Sequence, residues 1–254
     1  MLNQSMHGRA TSGEAKMTAN VASVIQHCLN RYGLLKHHSC SVTKDQLAAV
    51  QHWQRERFRK SHEVLIGDPQ KSCAIDFLFS EVYGGVDLST VVSDIQRAYP
   101  LALRVFSENV MRTAAVALEL NTLTAELDEG LAYILFEKMN VGVIDAESYL
   151  QAFRTLGTID LRMRQLALTE MLLENIDRYI NSKVIFGAFK LAKGPARAAG
   201  LTHLYAFMDK GFCALKSLGS SSHFMKTILE NERSFIHNVF NAIPDPYQLM
   251  GKVS

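Results

Sequence analysis

The stretch from Leu101 to about Met139 constrains this chain most. It contains no proline, its one glycine is Gly130, and Pro100 precedes it. Apolar side chains recur through it at helical spacing: Val105, Val110, Met111, Ala114, Ala115, Leu118, Ala125, Leu131, Ile134 and Leu135, with Thr122 on the same pattern. One helix over that span would reach on the order of 58 Å. A rod of that length has to be clothed by others, so the pattern predicts a helical bundle built around it, with a bend allowed at Gly130.

The rest of the chain supplies partners. A first helix is expected from Lys16 to Leu35, on Val21, Val24, Ile25, Cys28 and Leu29. Thr43 and Gln46 fit a capping box, in which each side chain satisfies the other residue's backbone N–H. That helix should run to Ile66 and stop at Gly67. Asp68-Pro69 opens a third helix, which ends at Gly84-Gly85, and a short one follows from Asp87 to Ala98. After a stop at Asn140-Val141-Gly142, Asp145 caps a helix to Leu156, closed by Gly157. Further helices are predicted over Ile159–Ile180, Val184–Lys193, Pro195–Leu218 and His223–Phe240. Residues 1–15 and 242–254 read as tails. The result is an all-α, single-domain multi-helix bundle over residues 16–241.

Composition agrees with this reading. Of 254 residues, 48% are hydrophobic and 20% charged, enough for a core without disulfides or structural metal. The net charge of +2 is spread, not segregated. The nearest thing to a basic stripe, Arg55-Glu56-Arg57-Phe58-Arg59-Lys60, carries its own glutamate and reads as a solvated helix face, so no nucleic-acid partner is expected. Cys28, Cys40, Cys73 and Cys213 show no metal-ligand spacing. No leader-like or membrane-spanning apolar run occurs, which points to free thiols in a cytoplasm.

No motif assigns a reaction. None of the nine histidines follows a glutamate at the i, i+3 spacing of di-iron bundles, and HExxH, GxGxxG, GxxxxGK[ST] and GxSxG are all missing. No metal or other cofactor is expected; His27 or His203 as a haem ligand is a weaker reading than a packed or exposed histidine. What remains is a small set of polar residues in apolar surroundings. Glu81 lies beside the apolar Ile75–Phe79 run, with Tyr83 two residues on. Glu119 lies deep in the long segment, with Arg112 seven residues earlier on the same face. Arg154, Arg162, Arg164 and Arg197 are the cations available to pair with them. A buried carboxylate needs such a partner, so these residues form either a structural ion network or the lining of a polar pocket. Gly194-Pro195-Ala196-Arg197-Ala198-Ala199-Gly200 suits close helix packing or an anion.

The segment Ala74-Ile75-Asp76-Phe77-Leu78-Phe79-Ser80-Glu81-Val82-Tyr83-Gly84-Gly85 resembles the signature of the bacterial FFLEELY-motif proteins, with Ser80 where one glutamate of the motif is expected. The resemblance extends to Trp53-Gln54-Arg55-Glu56-Arg57, Arg97-Ala98-Tyr99-Pro100, Leu118-Glu119-Leu120-Asn121, the segment from Gly194 to Leu201, Gly211-Phe212 and Asn231-Glu232. It implies a bacterial cytoplasmic helical protein and supplies no reaction. It adds weight to Glu81, Tyr83, Glu119 and Arg197. A haem-oxygenase-like or ferritin-like arrangement is an analogy of shape only. The first functional expectation is a non-enzymatic module that dimerises or binds a partner. The alternative is a small-molecule site or enzyme, with Glu81 or Glu119 as acid or base and Arg197 or Arg162 clamping a polar or anionic ligand.

Overall fold

The computed structural model describes residues 12–35, 42–63, 90–91, 93–97, 101, 106–216 and 222–247. They form an all-α bundle, and no strand occurs among them. In chain order the helices are α1 (Ser12–Gly33), α2 (Lys44–Ser61), α3 (Glu108–Ala132), α4 (Ala146–Leu156), α5 (Ile159–Asn181), α6 (Lys183–Leu191), α7 (Lys193–Ala198), α8 (Thr202–Lys216) and α9 (Ser222–Phe240). Between α3 and α4, residues Tyr133–Lys138 form a π-helical turn. The expected helices beginning at Asp68-Pro69 and at Asp87 lie wholly or largely outside the described residues.

Helix α3 is the central rod. It packs against α1, α2, α4 and α5, and most of its side chains are buried. It is shorter than the periodicity suggested. Ser107 is its N-cap, in extended backbone, so the continuous helix begins at Glu108 and not at Leu101. It passes through Gly130 and loses α-helical pairing only at Tyr133. Gly130 serves close approach: a Cβ there would stand 2.9 Å from Leu156 Cδ1, so α4 rests on α3.

Local sequence accounts for several helix ends. The Thr43–Gln46 capping box is formed, with both reciprocal hydrogen bonds present. Asp145 caps α4 in the same way, with Ser148 as its reciprocal partner. Gly157 closes α4 at φ +65°, a left-handed conformation that glycine adopts without strain. The first helix begins at Ser12, four residues ahead of the expected start. The C-terminal segment is packed as well as irregular: Pro246 is buried, and the Tyr247 ring stacks on Phe235 at 5.3 Å.

The expected helix from Pro195 to Leu218 is instead two, α7 and α8, broken at Ala199-Gly200, with Gly200 at φ +73°. Leu201 stands just before α8 and has no polar side chain to cap it. Asp94, from the helical residues 93–97, does so across the bundle. Its Oδ2 accepts from the backbone N–H of His203 at 2.7 Å and of Leu204 at 3.2 Å. Its Oδ1 accepts from Arg97 Nη2, which also donates to the Gly200 carbonyl. Because Asp94 is buried, Asp94→Ala strands two N–H donors and should cost about 2–4 kcal/mol. Urea denaturation checks this; a loss below about 1 kcal/mol would show that water replaces the cap.

Two apolar clusters fill the bundle. One contains Ile25, Met111, Leu120, Leu168, Leu201 and Leu204, and the other contains Val50, Leu131, Leu135, Tyr149, Phe153, Phe235 and Val239. Along α3 the first cluster ends at Leu127 and the second begins at Leu131. The candidate site occupies that junction.

Candidate functional site

Four inward helix stripes change character at one level. On α3 and the π-helical turn that continues it the stripe runs Ala117, Asn121, Thr124, Asp128, Leu131, Leu135, all buried, with three polar residues between apolar ends. On α5 it runs Arg162, Gln165, Thr169, Leu172, Ile176, polar at the end facing Thr124. Helix α9 places Glu232 between Leu229 and Phe235, and α2 places Gln54 and Arg57 beside Val50 and Phe58. Thr124 and Asp128 of α3, Arg162 and Gln165 of α5, Glu232 of α9, Gln54, Arg55 and Arg57 of α2, and Tyr149 and Phe153 of α4 line a cavity of about 40 Å³.

Its polar groups form two linked sets. In the first, Asp128 accepts from Gln54 Nε2 at 2.7 Å and from Gln51 Nε2 at 3.4 Å, and the Tyr149 hydroxyl donates to Gln54 Oε1 at 3.3 Å. Arg162 Nη1 donates to Gln165 Oε1 at 3.2 Å, and Gln165 Nε2 donates to Thr124 Oγ1 at 2.8 Å. The Arg162 guanidinium lies over the Phe153 ring, 4.7 Å from its centroid.

The second set is an ion pair between Arg57 Nη1 and Glu232 Oε1 at 2.5 Å. Only 11% and 10% of the two side chains are exposed. The Arg57 guanidinium stacks on Phe235 at 4.5 Å, and Tyr247 covers the same ring. His62 stands 3.9 Å from the Glu232 carboxylate, and its Nδ1 faces the Phe58 carbonyl at 3.0 Å. Among the described residues, two buried donors in and beside this set have no hydrogen-bond acceptor, Trp53 Nε1 and Arg57 Nε, and the buried His62 Nε2 has no partner. A buried donor without an acceptor calls for an explanation, and a bound molecule at the cavity is one.

Burial sets the protonation behaviour. It pushes the Asp128 carboxyl up to about 6, against the pull of the Gln54 donor and the Arg162 charge. Burial also pushes the Tyr149 phenol up to about 12, so it remains a donor. Burial opposes the charge on Arg57, but the Glu232 carboxylate outweighs it and holds Arg57 cationic. His62 is driven down by burial and stays neutral near pH 7.

The residues singled out from sequence are dispersed. Arg162 lines the cavity. Glu119 does not: it is half-buried on another face of α3 and pairs with Arg164 at 2.9 Å. Arg112 pairs with Glu108, one turn away, and not with Glu119. Arg154 is exposed at the C-terminal end of α4, where a cation complements the helix dipole. Arg197 is exposed in the last turn of the six-residue α7, not the first turn of a long helix, so the anion clamp expected there is not built. Glu81 and Tyr83 lie outside the described residues. His27 is exposed, and His203 faces Asp94 at 3.3 Å. Cys28 is buried, and burial raises its thiol to about 11, so it is no nucleophile at neutral pH.

Sequence reasoning missed Asp128, Gln54, Arg57, Gln165 and Glu232. The signal for Asp128 was its place, with Thr124 and Asn121, on a stripe whose two ends are apolar. Within the mixed-charge run from Arg55 to Lys60, Arg57 points inward, while Arg59 and Lys60 are the solvated members that the run as a whole suggests. Gln54, Arg57 and Glu232 do fall in the segments that carry the FFLEELY resemblance.

Fold and site define an all-α bundle with a buried polar layer around a small cavity. Among the described residues, no cluster of histidine, cysteine and carboxylate side chains could hold a metal ion, and no helix is long and apolar enough to cross a membrane. The chain belongs to the family described as a domain of unknown function, DUF8198, whose model matches residues 34–246. No curated protein and no solved structure matches it.

Proposed function

We propose that the protein is a small-molecule-binding module whose ligand occupies the cavity between α2, α3, α4, α5 and α9. One observation carries the reading: Arg162, Asp128, Tyr149 and Arg57 converge on a single cavity, and among the described residues the Arg57 Nε–H there has no acceptor. Polar groups that converge on a cavity, one of them a carboxyl displaced upward, support a ligand site there. Asp128 takes the role expected of Glu119, and Arg162 retains the role of clamp. The resemblance to the FFLEELY-motif proteins supports a bacterial, cytoplasmic setting.

A metabolite panel followed by thermal unfolding tests this. A ligand at about a hundred times its Kd stabilises the fold by about 2.7 kcal/mol. The shift should vanish in Arg162→Gln and survive in Arg154→Gln, which alters an exposed arginine that does not line the cavity. A flat panel, or equal shifts in both variants, would count against the reading.

A homodimer is the second reading. Val184, Gly187, Ala188 and Leu191 form one exposed stripe on α6, with Val184 and Leu191 each 82% exposed. A monomer at every concentration in sedimentation would remove it.

A further inference from the structure

Charge is divided along this chain more sharply than its net value suggests. Residues 183–216, which build α6, α7 and α8, hold six basic side chains, Lys183, Lys190, Lys193, Arg197, Lys210 and Lys216, against one acid, Asp209. Of the chain's 27 basic and 25 acidic residues, 21 and 24 are left for the remainder, so the excess of base lies in this segment. All six basic residues are exposed, and Asp209 is committed to Lys190.

Helix α6 sets apolar side chains beside this charge. Val184 and Leu191 are each 82% exposed and lie seven residues apart, on one face by helical geometry. Lys183 and Lys190 have the same spacing and run along one edge of that face. The Lys190 and Lys216 ammonium groups stand 5.3 Å and 4.9 Å from the centroid of the Phe186 ring, which brings a cation of α8 to α6. An aliphatic row and a cationic row therefore lie side by side on one surface.

We infer that this face of α6 docks on an anionic lipid surface. Val184 and Leu191 enter the boundary between headgroups and acyl chains, and the basic side chains of α6 to α8 meet the lipid phosphates. The contact is peripheral, since no described helix is long and apolar enough to cross a membrane. Composition selects this occupant. Five of the six basic residues are lysine, which is depleted at protein–protein interfaces, and arginine is the cation of choice in nucleic-acid recognition. A charged lipid surface needs only point charges near its plane. Val184 and Leu191 would stay in water against a nucleic-acid backbone. A second copy would set the same acid-poor face against itself, so the dimer reading of this stripe meets a like-charge repulsion that lipid phosphates relieve. The docking reading is independent of the cavity, which no residue of this segment lines.

Flotation of the full chain with vesicles tests this. One preparation is phosphatidylcholine alone, and the other is equal parts of phosphatidylcholine and phosphatidylglycerol. The protein should bind the anionic vesicles about tenfold or more tighter than the neutral ones, and about 0.5 M salt should remove most of that difference. Leu191→Glu should weaken anionic binding by about tenfold or more while leaving the thermal transition in place, because the side chain it replaces is exposed. Val143→Glu puts the same charge at an exposed aliphatic position ahead of α4 and should change binding by less than about threefold. No preference for anionic vesicles overturns the proposal. So does equal weakening by both variants, which would mean adsorption by net charge alone. Tighter binding to a DNA duplex or to polyglutamate than to the vesicles assigns the face to a soluble polyanion and overturns it too. A dimer that Leu191→Glu dissociates, with no vesicle binding, gives the stripe to a second copy instead.

Discussion

Glu232→Ala should lower the unfolding free energy by about 3–5 kcal/mol, because it leaves the Arg57 cation buried without a counter-charge. Arg57 cannot escape to solvent without abandoning its stack on Phe235, and it cannot discharge at accessible pH. For a chain of this size such a loss lowers Tm by roughly 6–20 °C. The double variant Arg57→Met with Glu232→Met should recover most of it, since apolar side chains of similar volume avoid the desolvation that the ion pair only just offsets. Thermal and urea denaturation of the single and double variants measures both. Equal and additive losses would mean that the two residues act independently, against the 2.5 Å contact.

The second large effect is on pH dependence. Asp128 has an ordinary value of 3.8 and is pushed up to about 6 in the fold, chiefly by burial. The folded state therefore holds this proton more tightly than the unfolded state. Its contribution is fully present below about pH 4 and is lost as pH rises through about 6, a change of roughly 3 kcal/mol. His62 acts in the opposite direction. Burial lowers its value from 6.5, so its contribution is present above that pH and is lost as the solution turns acid. The two partly cancel in the whole protein, which is why a variant is needed to see either. Relative to Asp128→Asn, the unaltered protein should lose about 3 kcal/mol between about pH 4 and pH 7 in urea titrations. A difference that stays constant over that range would place Asp128 in contact with water in solution.

Much of the architecture was legible in the residues. Thr43 with Gln46, Asp145 and Gly157 marked helix ends that the structure reproduces, because a cap is built from side chains within a few positions of the backbone it satisfies. The helical period of α3 was legible for the same reason. Its true start at Glu108 was not, since apolar spacing continues through residues ahead of the Ser107 cap. Arg162 was named from sequence, but its neighbour Asp128 was passed over for Glu119, although both carboxylates sit on α3.

By itself, the sequence determined the rods and their inward stripes, because helix formation and burial periodicity are local properties of the chain. The tertiary structure alone decided which charges meet. Asp94 caps α8 from more than a hundred residues away, and Arg57 finds Glu232 from the other end of the chain. Such partnerships depend on the rotation and register of each helix, and these are fixed only when the stripes interlock around α3.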